Sequence, residues 1–417
     1  MKTKVVVSAI DQGLLSAFNF GLNLALIKFW TPALFGVYSI LFTLSFVFIS
    51  FQNALINTPY SVLIPARENP DPLRRTLSWS NILFLIALAV LCTLLQMVPG
   101  LSQPYASSAL VTLFFVIRLL REYFRCRWSA ELELMPVLWA DLAFVSLFTL
   151  GAGLLWWQLG WANVSLDQLL WLLCISQLLS LGYMLVKEVP LLQPMNWRQL
   201  ASHYAPVWQQ SRWSLVGVTT TEIQNRGYIF VVGLLFGSTM VGFIQAGRVF
   251  FGPLNIITSA WTRVAKPTLA RLNAEGKQDA FQKLVRQGLI GFLLFNLLFS
   301  LALFLFWPLL EAHLFSDDYQ NVGWVTMQWA IVTLLFHLRA TGSAAIQAQN
   351  RFKPLAKATL WGALFALSSL ALIGLTGGGA WVVVSVNIGE AVAFGYVLRL
   401  LQRPAQQPIA QGVTNDN

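Results

Sequence analysis

Long apolar stretches alternate with short polar segments along nearly the whole chain. A helix needs about 20 mostly apolar residues to cross the hydrocarbon core of a bilayer. With that window, the pattern predicts twelve transmembrane helices, at 6–28, 34–57, 77–98, 105–124, 136–157, 167–186, 213–235, 239–262, 286–308, 323–345, 354–375 and 379–400. The first stretch contains Asp11, Gln12, Asn19 and Asn23, and it is too long and too polar for a cleaved signal peptide.

The distribution of basic residues predicts the orientation of these helices. Most of the 27 Lys and Arg residues fall in one set of alternate segments, and Lys28 alone falls in the other set. Because Lys and Arg mark cytoplasmic loops, we expect an even number of spans with both termini in the cytoplasm. The net charge of +10 is then explained by topology, and no nucleic-acid partner is needed.

An internal repeat is visible in the same order along both halves. The segment FGVYSILFT (35–43) corresponds to VGFIQAGRV (241–249), and LMPVLWADLAF (134–144) corresponds to FKPLAKATLWGALF (352–365). Because each half holds an even number of spans, the halves share one orientation, which is a parallel repeat about an axis along the membrane normal. We predict two six-helix lobes facing a central cleft, at 1–200 and 201–403, followed by a disordered cytoplasmic tail at 404–417.

The composition supports an all-α integral membrane protein. Hydrophobic residues make up 57% of the chain and charged residues 11%, with a mean hydropathy of +0.64, which excludes an ordinary soluble domain. The sequence contains neither GxxxxGK[ST] nor HExxH, so we expect no enzyme, no cofactor and no metal. His337, within the tenth predicted span, either carries a proton or is a buried neutral histidine, and the second interpretation is the simpler one.

Several charged residues lie inside the predicted spans, where each needs a partner or a wet cavity. Arg226 follows Glu222 by four positions and would be its ion-pair partner on one helical face. Asp11 and Asp141 lie close enough to the cytoplasmic face to reach it.

Arginines outnumber carboxylates at this depth, which favours an anionic substrate. The planar guanidinium group binds phosphate through two parallel charge-assisted hydrogen bonds. The polar residues of the first and seventh spans occupy equivalent places in the two halves, and we expect these helices to face the cleft or each other. The predicted substrate-binding residues are Arg118, Arg121, Arg226, Arg248, Arg339, Asn19, Asn23 and Asn225. The candidates for ion coupling are Asp11, Glu222 and Glu390.

Two segments resemble a known family in sequence. DQGLLSAFNFGLNLALIKFWTPALFGVYSI (11–40), AAIQAQNRFKPLAKATLW (344–361) and the twelve-span layout resemble the polysaccharide-transporter branch of the multidrug/oligosaccharidyl-lipid/polysaccharide exporter superfamily, over about 1–403. The resemblance implies a bacterial inner-membrane flippase. Such a protein moves an undecaprenyl-pyrophosphate-linked oligosaccharide to the outer leaflet by alternating access, for surface polysaccharide or exopolysaccharide synthesis, with membrane lipids and the synthesis machinery as partners.

The resemblance also implies a phosphate-binding role for particular arginines. In the family, arginines of the first, second and eighth spans contact the pyrophosphate, and Arg248 matches the eighth-span position. Asp11 stands in the first span where the family has arginine, and the second span carries no deep basic residue. Arg118, Arg226 and Arg339 are the residues available to take their place.

Two other functions fit parts of the pattern. A cation-coupled multidrug exporter of the same superfamily would use Asp11, Glu222 and Glu390 to bind cations, although the arginine surplus favours the flippase. A non-transporting membrane subunit of a polysaccharide secretion complex would also have this layout.

Overall fold

A computed structural model describes residues 2–64, 68–97, 107–188, 194–349 and 351–402, which form helices joined by short connections and contain no β-strand. The helices are α1 (Lys2–Phe29), α2 (Pro32–Gln52), α3 (Thr58–Leu63), α4 (Asp71–Gln96), α5 (Ser108–Ala130), α6 (Leu134–Leu159), α7 (Leu166–Ser180), α8 (Gly182–Glu188), α9 (Trp197–Val249), α10 (Gly252–Ala274), α11 (Gln278–Leu314), α12 (Val322–Ala348), α13 (Phe352–Leu375) and α14 (Val382–Gln402). A π-helical turn at Asn53–Asn57 joins α2 to α3. The predicted tail at 404–417 lies outside the described residues.

The predicted all-α membrane fold is confirmed. Nine helical segments in the described part of the chain are long and apolar enough to cross a membrane: Val6–Phe29, Pro32–Leu63, Asp71–Gln96, Leu134–Leu159, Asn225–Val249, Gln278–Leu314, Val322–Ala348, Phe352–Leu375 and Val382–Gln402. The fourth predicted span corresponds to α5, the sixth to α7 with α8, and the eighth to the end of α9 with the start of α10. α5 is rich in charged residues, α7 is only 15 residues long, and α10 has polar positions throughout its length.

The helix boundaries differ from the predicted spans near the predicted eighth span. Gly237 interrupts α9 with φ 79° and ψ 176°, a conformation that only glycine adopts without strain. A second break at Phe250 and Phe251 precedes α10, which begins with Gly252 and Pro253. Proline lacks a backbone N–H and is suited to the first turn of a helix. The predicted eighth span is therefore divided between the end of α9 and the start of α10.

The chain packs as two compact units, of which the first comprises Met1–Val249 and Leu309–Val322. One core of this unit joins α3, α4, α5, α6 and α8 around buried residues such as Tyr60, Leu77, Phe124 and Met184. α2 packs along α9 in the same unit. The end of α11 belongs to this unit as well, and the Lys28 amine donates a hydrogen bond to the His313 carbonyl there.

α2 and α9 cross at a contact between two glycines. A Cβ atom on Gly36 would lie 1.8 Å from the Ser238 carbonyl oxygen, and one on Gly242 would lie 1.9 Å from the Pro32 carbonyl oxygen. Gly36 and Gly242 are 206 positions apart, as are Pro32 and Ser238, and this is the offset of the sequence repeat. The contact is therefore reciprocal, as expected for equivalent helices of a parallel repeat.

The second unit comprises Phe250–Pro308 and Gly323–Asn417. Part of its core joins α10, α11 and α12 around Leu269, Phe281 and Ala345. α13 and α14 approach closely through Gly362 and Gly389, where a Cβ on either residue would lie within 2.9 Å of the other residue's carbonyl oxygen. Small residues allow such close packing between membrane helices. The division into six-helix lobes at 200/201 remains a prediction.

Candidate functional site

Two arginines from different helices of the first unit share one aromatic ring of α2. The guanidinium carbon of Arg118, on α5, lies 4.1 Å from the ring centre of Phe42 and 5.0 Å from that of Phe46. The guanidinium carbon of Arg226, on α9, lies 4.5 Å from the same Phe46 ring. Aromatic faces attract such cations without neutralising them.

Arg248 completes what we call the arginine cluster (Arg118, Arg226 and Arg248). Its Nη1 donates a hydrogen bond to the Tyr228 hydroxyl at 2.9 Å, and it lies within electrostatic range of Arg226. The chain reverses at Gly237, so the two parts of α9 run side by side and bring Arg248 to Tyr228. Gln245, one turn before Arg248, donates to the same hydroxyl at 3.3 Å.

Glu222 is the carboxylate that the described residues place against this cluster. Its Oε2 lies 3.1 Å from Arg226 Nε, which is the ion pair that the four-residue spacing predicts. Its Oε1 accepts a hydrogen bond from the Ser50 hydroxyl at 2.8 Å. Arg226 therefore has a carboxylate partner, whereas the guanidinium group of Arg118 lies against the rings of Phe42 and Phe46.

Two buried donors in the cluster have no hydrogen-bond partner among the described residues. They are Nε of Arg118 and Nη1 of Arg226. A buried donor without an acceptor costs about 1–3 kcal/mol, and more when the group is charged. Such donors need an acceptor, which a water molecule or a ligand can supply.

Arg121 has a protein partner instead. Its Nη2 donates to the carboxylate of Asp141, which is fully buried. Arg125 joins the same network, with Nε 2.8 Å from Asp141 and Nη2 3.0 Å from Asp11. The expectation that Asp11 and Asp141 reach the cytoplasmic face is therefore wrong, because both carboxylates are held inside by arginines of α5.

Arg339 and Glu390 form a two-point ion pair in the second unit. Nε lies 2.7 Å from Oε2, and Nη2 donates to Oε1 at 3.1 Å. Their side chains are 12% and 10% exposed. Glu390 therefore neutralises the charge of Arg339, as Asp141 neutralises that of Arg121.

The three asparagines that were predicted to bind the substrate are half-buried. The side-chain nitrogen of Asn19 donates to the Leu15 carbonyl at 2.8 Å, and that of Asn23 donates to the Asn19 carbonyl at 2.7 Å. These bonds stay within α1 and leave both amide oxygens available. Asn225 lies beside Arg226 on α9.

A cavity of about 220 Å³ lies beside the Asp11 network. Its polar lining includes Asp11, Gln12, Asn53, Glu122 and Arg125, from α1, the π-helical turn and α5. The second oxygen of Asp11 is buried without a hydrogen-bond partner among the described residues. The described residues contain no group of three His, Cys, Asp or Glu side chains suited to a metal ion.

Three further contributors to the cluster do not follow from the sequence alone. Phe46, Ser50 and Tyr228 contact the arginines or Glu222. One weak signal was available, because Phe42 and Phe46 are four positions apart and therefore share a helical face. Their meeting with α5 and α9 depends on helix packing.

No protein-family model matches the chain, and no curated protein matches it in sequence. Its structure resembles the lipid II flippase MurJ in an inward closed conformation, with a TM-score of 0.69 and 12% identity over 97% of this chain and 88% of that one. It resembles an inward-facing multidrug resistance MATE family transporter of the MOP superfamily, with a TM-score of 0.69 and 13% identity over 95% and 97%. The chain has the fold of the MOP-superfamily transporters. A Vibrio cholerae MATE transporter, VcmN, shares this fold at a TM-score of 0.56 and 14% identity, over 96% and 98% of the two chains.

Proposed function

We propose that this protein is an alternating-access transporter that flips a polyprenyl-pyrophosphate-linked oligosaccharide across the bacterial cytoplasmic membrane. The product would serve surface polysaccharide or exopolysaccharide synthesis. The observation that carries the proposal is the arginine cluster, in which a buried donor nitrogen of Arg118 and one of Arg226 have no hydrogen-bond partner among the described residues. A structural neighbour named as a lipid II flippase supports the same class of substrate.

The environment of the cluster suits a ligand that binds and leaves. Aromatic rings stabilise a cation by about 0.5–2 kcal/mol, so Phe42 and Phe46 hold the guanidinium groups while leaving their charge available. A pyrophosphate offers several acceptor oxygens, which match the unpaired donors of Arg118 and Arg226. Removal from bulk water strengthens these charge interactions.

Glu222 and a bound phosphate can compete for the guanidinium group of Arg226. Its carboxylate pairs with Arg226 in the structure, and a phosphate oxygen would compete for the same guanidinium. We infer that Glu222 holds Arg226 in place when no headgroup is bound. This role makes Glu222 the ion-coupling candidate closest to the proposed substrate.

The experiment uses purified protein in liposomes with a headgroup-labelled polyprenyl-pyrophosphate oligosaccharide in one leaflet. Each charge-assisted hydrogen bond contributes about 1.5–3 kcal/mol, so Arg118→Gln and Arg248→Gln should each slow headgroup translocation by about tenfold or more. Arg399→Gln, at an exposed position of α14, is the matched control and should transport normally. Thermal unfolding checks that every variant remains folded. Normal transport by both cluster variants would exclude the proposed role.

A cation-coupled multidrug exporter is the second candidate. The MATE neighbours support it, as does the acidic and polar cavity beside Asp11. In that case the same liposomes would accumulate an organic cation, Asp11→Asn would reduce the accumulation, and Arg118→Gln would leave it unchanged. The flippase proposal expects lipid movement that depends on Arg118 and no accumulation of the cation.

A further inference from the structure

A second polar cluster lies in the second unit, apart from every residue used in the proposed function. His337 of α12 is fully buried. Its Nδ1 lies 3.1 Å from the side-chain oxygen of Asn296 on α11, and its Nε2 lies 3.4 Å from the side-chain oxygen of Asn255 on α10. Amide oxygens therefore face both nitrogens of the ring.

The orientation of both amides is set by their own helices. The side-chain nitrogen of Asn296 donates to the Phe292 carbonyl at 2.7 Å, and that of Asn255 donates to the Phe251 carbonyl at 3.3 Å. These bonds direct the two oxygens toward His337. A neutral imidazole has one donor nitrogen, whereas the imidazolium form donates from both. The arrangement therefore matches a protonated ring.

A neutral ring would require one amide to turn over. The turned amide would place its oxygen against a backbone carbonyl, and two acceptors repel each other. Asn296 is 2% exposed and holds the shorter bond, so it is fixed. Asn255 is exposed and holds the longer bond, so it is the amide that can rotate when the ring loses its proton.

The other groups around the ring are aromatic. The ring centres of Phe292 and Phe336 lie 5.7 Å and 5.6 Å from that of His337, and aromatic rings favour a cation. On α12 the nearest charged residue is Arg339, whose charge is paired with Glu390 of α14. Within α10 and α11, the charged residues closest in sequence to the two asparagines are Arg263 and Arg286, both at least two helical turns away, and Arg248 precedes Asn255 by seven positions across the break. No ion pair to His337 is found within the described part of the chain.

We propose that His337, Asn255 and Asn296 form a proton-binding site in the second unit, with His337 as the proton carrier. The proton would enter on the Nε2 side, where Asn255 is exposed. Loss of the proton would release the amide of Asn255, one turn after the break at Phe250 and Phe251. The inference goes beyond the proposed function, because it requires no particular substrate.

The test is ¹⁵N NMR of histidine-labelled protein in lipid nanodiscs. The chain has three histidines, and His337→Gln assigns the signal of His337 by its disappearance. His203 and His313 are exposed and serve as internal references in the same sample. We expect both nitrogens of His337 to carry protons at acidic pH, and one of them to lose its proton as the pH rises while the protein stays folded. A His337 ring that stays neutral over that whole range would overturn the proposal.

A second variant tests the role of Asn255. A hydrogen bond to a charged group contributes about 1.5–3 kcal/mol, so Asn255→Leu should lower the titration midpoint of His337 by about one pH unit or more. Asn163→Leu is the matched control, because Asn163 also donates to a carbonyl four residues earlier, and it should leave the midpoint unchanged. An unchanged midpoint in Asn255→Leu would count against the site. Since NMR reports protonation without any substrate, this result is independent of whether the flippase proposal holds.

Discussion

Arg118 and Arg121 lie three positions apart on α5 and have opposite environments. Arg121 is paired with the buried carboxylate of Asp141, whereas Arg118 lies against the rings of Phe42 and Phe46. A carboxylate cancels the charge of a guanidinium, and an aromatic ring does not. Residue type alone therefore does not separate the arginines that hold the fold from those available to a ligand.

Asp141→Asn should strongly destabilise the protein. The substitution removes the carboxylate shared by Arg121 and Arg125, and a broken buried ion pair costs about 3–5 kcal/mol. Chemical unfolding in detergent micelles measures the change in the free energy of unfolding. Asp71→Asn is the control, because Asp71 is 63% exposed in its pair with Arg74, and its loss should cost less than about 1 kcal/mol.

Substitutions of Arg339 and Glu390 can show whether this ion pair stabilises the fold or binds the substrate. Glu390→Gln alone should lower the unfolding temperature, because it leaves a buried guanidinium unpaired. The double variant Arg339→Met with Glu390→Met should recover most of that stability, since a buried pair can be replaced by apolar side chains of similar size. We expect the double variant to retain transport. A stable double variant that no longer transports would instead assign Arg339 to the substrate.

At the residue scale, the sequence predicts an ion pair correctly when both side chains lie on one helix. The spacing of Glu222 and Arg226 predicts their ion pair, which the structure contains. Arg339 and Glu390 are 51 positions apart, and Arg121 and Asp141 are 20 apart. Those pairs depend on which helices pack together and in what rotation, and neither is encoded in a local pattern.

The crossing of α2 and α9 leaves no space for side chains, and this gives a prediction for the helices. Gly36→Ala should destabilise the protein by about 1–3 kcal/mol, the usual cost of an overpacked contact, because its Cβ would meet the Ser238 carbonyl. Gly21→Ala on α1 is the control, since a Cβ there meets nothing within 4 Å, and alanine favours a helix by up to about 1 kcal/mol. Thermal unfolding in nanodiscs should therefore shift in opposite directions for the two variants.

Helix positions were more predictable than helix ends. In the described residues eleven of the twelve apolar stretches fall on helices in the predicted order, and the eighth is divided between two helices. Burial in lipid requires a satisfied backbone and an apolar surface, which a helix provides. α11 spans Gln278–Leu314 and is longer than the predicted span 286–308. The apolar pattern does not predict this extension, because hydropathy does not show where a helix continues beyond its apolar part. The break at Phe250 and Phe251 was also missed, although Gly252 and Pro253 follow it directly.

The orientation of the whole molecule is predicted by its basic loops and can be measured with reporter fusions. Alkaline phosphatase fused after Gly160, between α6 and α7, should be active because that loop is expected outside the cytoplasm. The same enzyme fused after Gly276, between α10 and α11, should be inactive. A fluorescent protein fused after Gln402 should fluoresce, since it folds in the cytoplasm. The reverse pattern would contradict the predicted topology.

The reciprocal contact of Gly36 and Gly242 has a consequence for the history of the chain. Identical subunits related by a two-fold axis present the same patch to each other, and these two glycines meet in that manner 206 positions apart. We infer that the contact descends from a six-helix homodimer whose gene was duplicated and fused. Gly36 and Gly242 would then descend from one ancestral position that faced its own copy, and the two halves, expressed as separate polypeptides, should still find each other in a membrane.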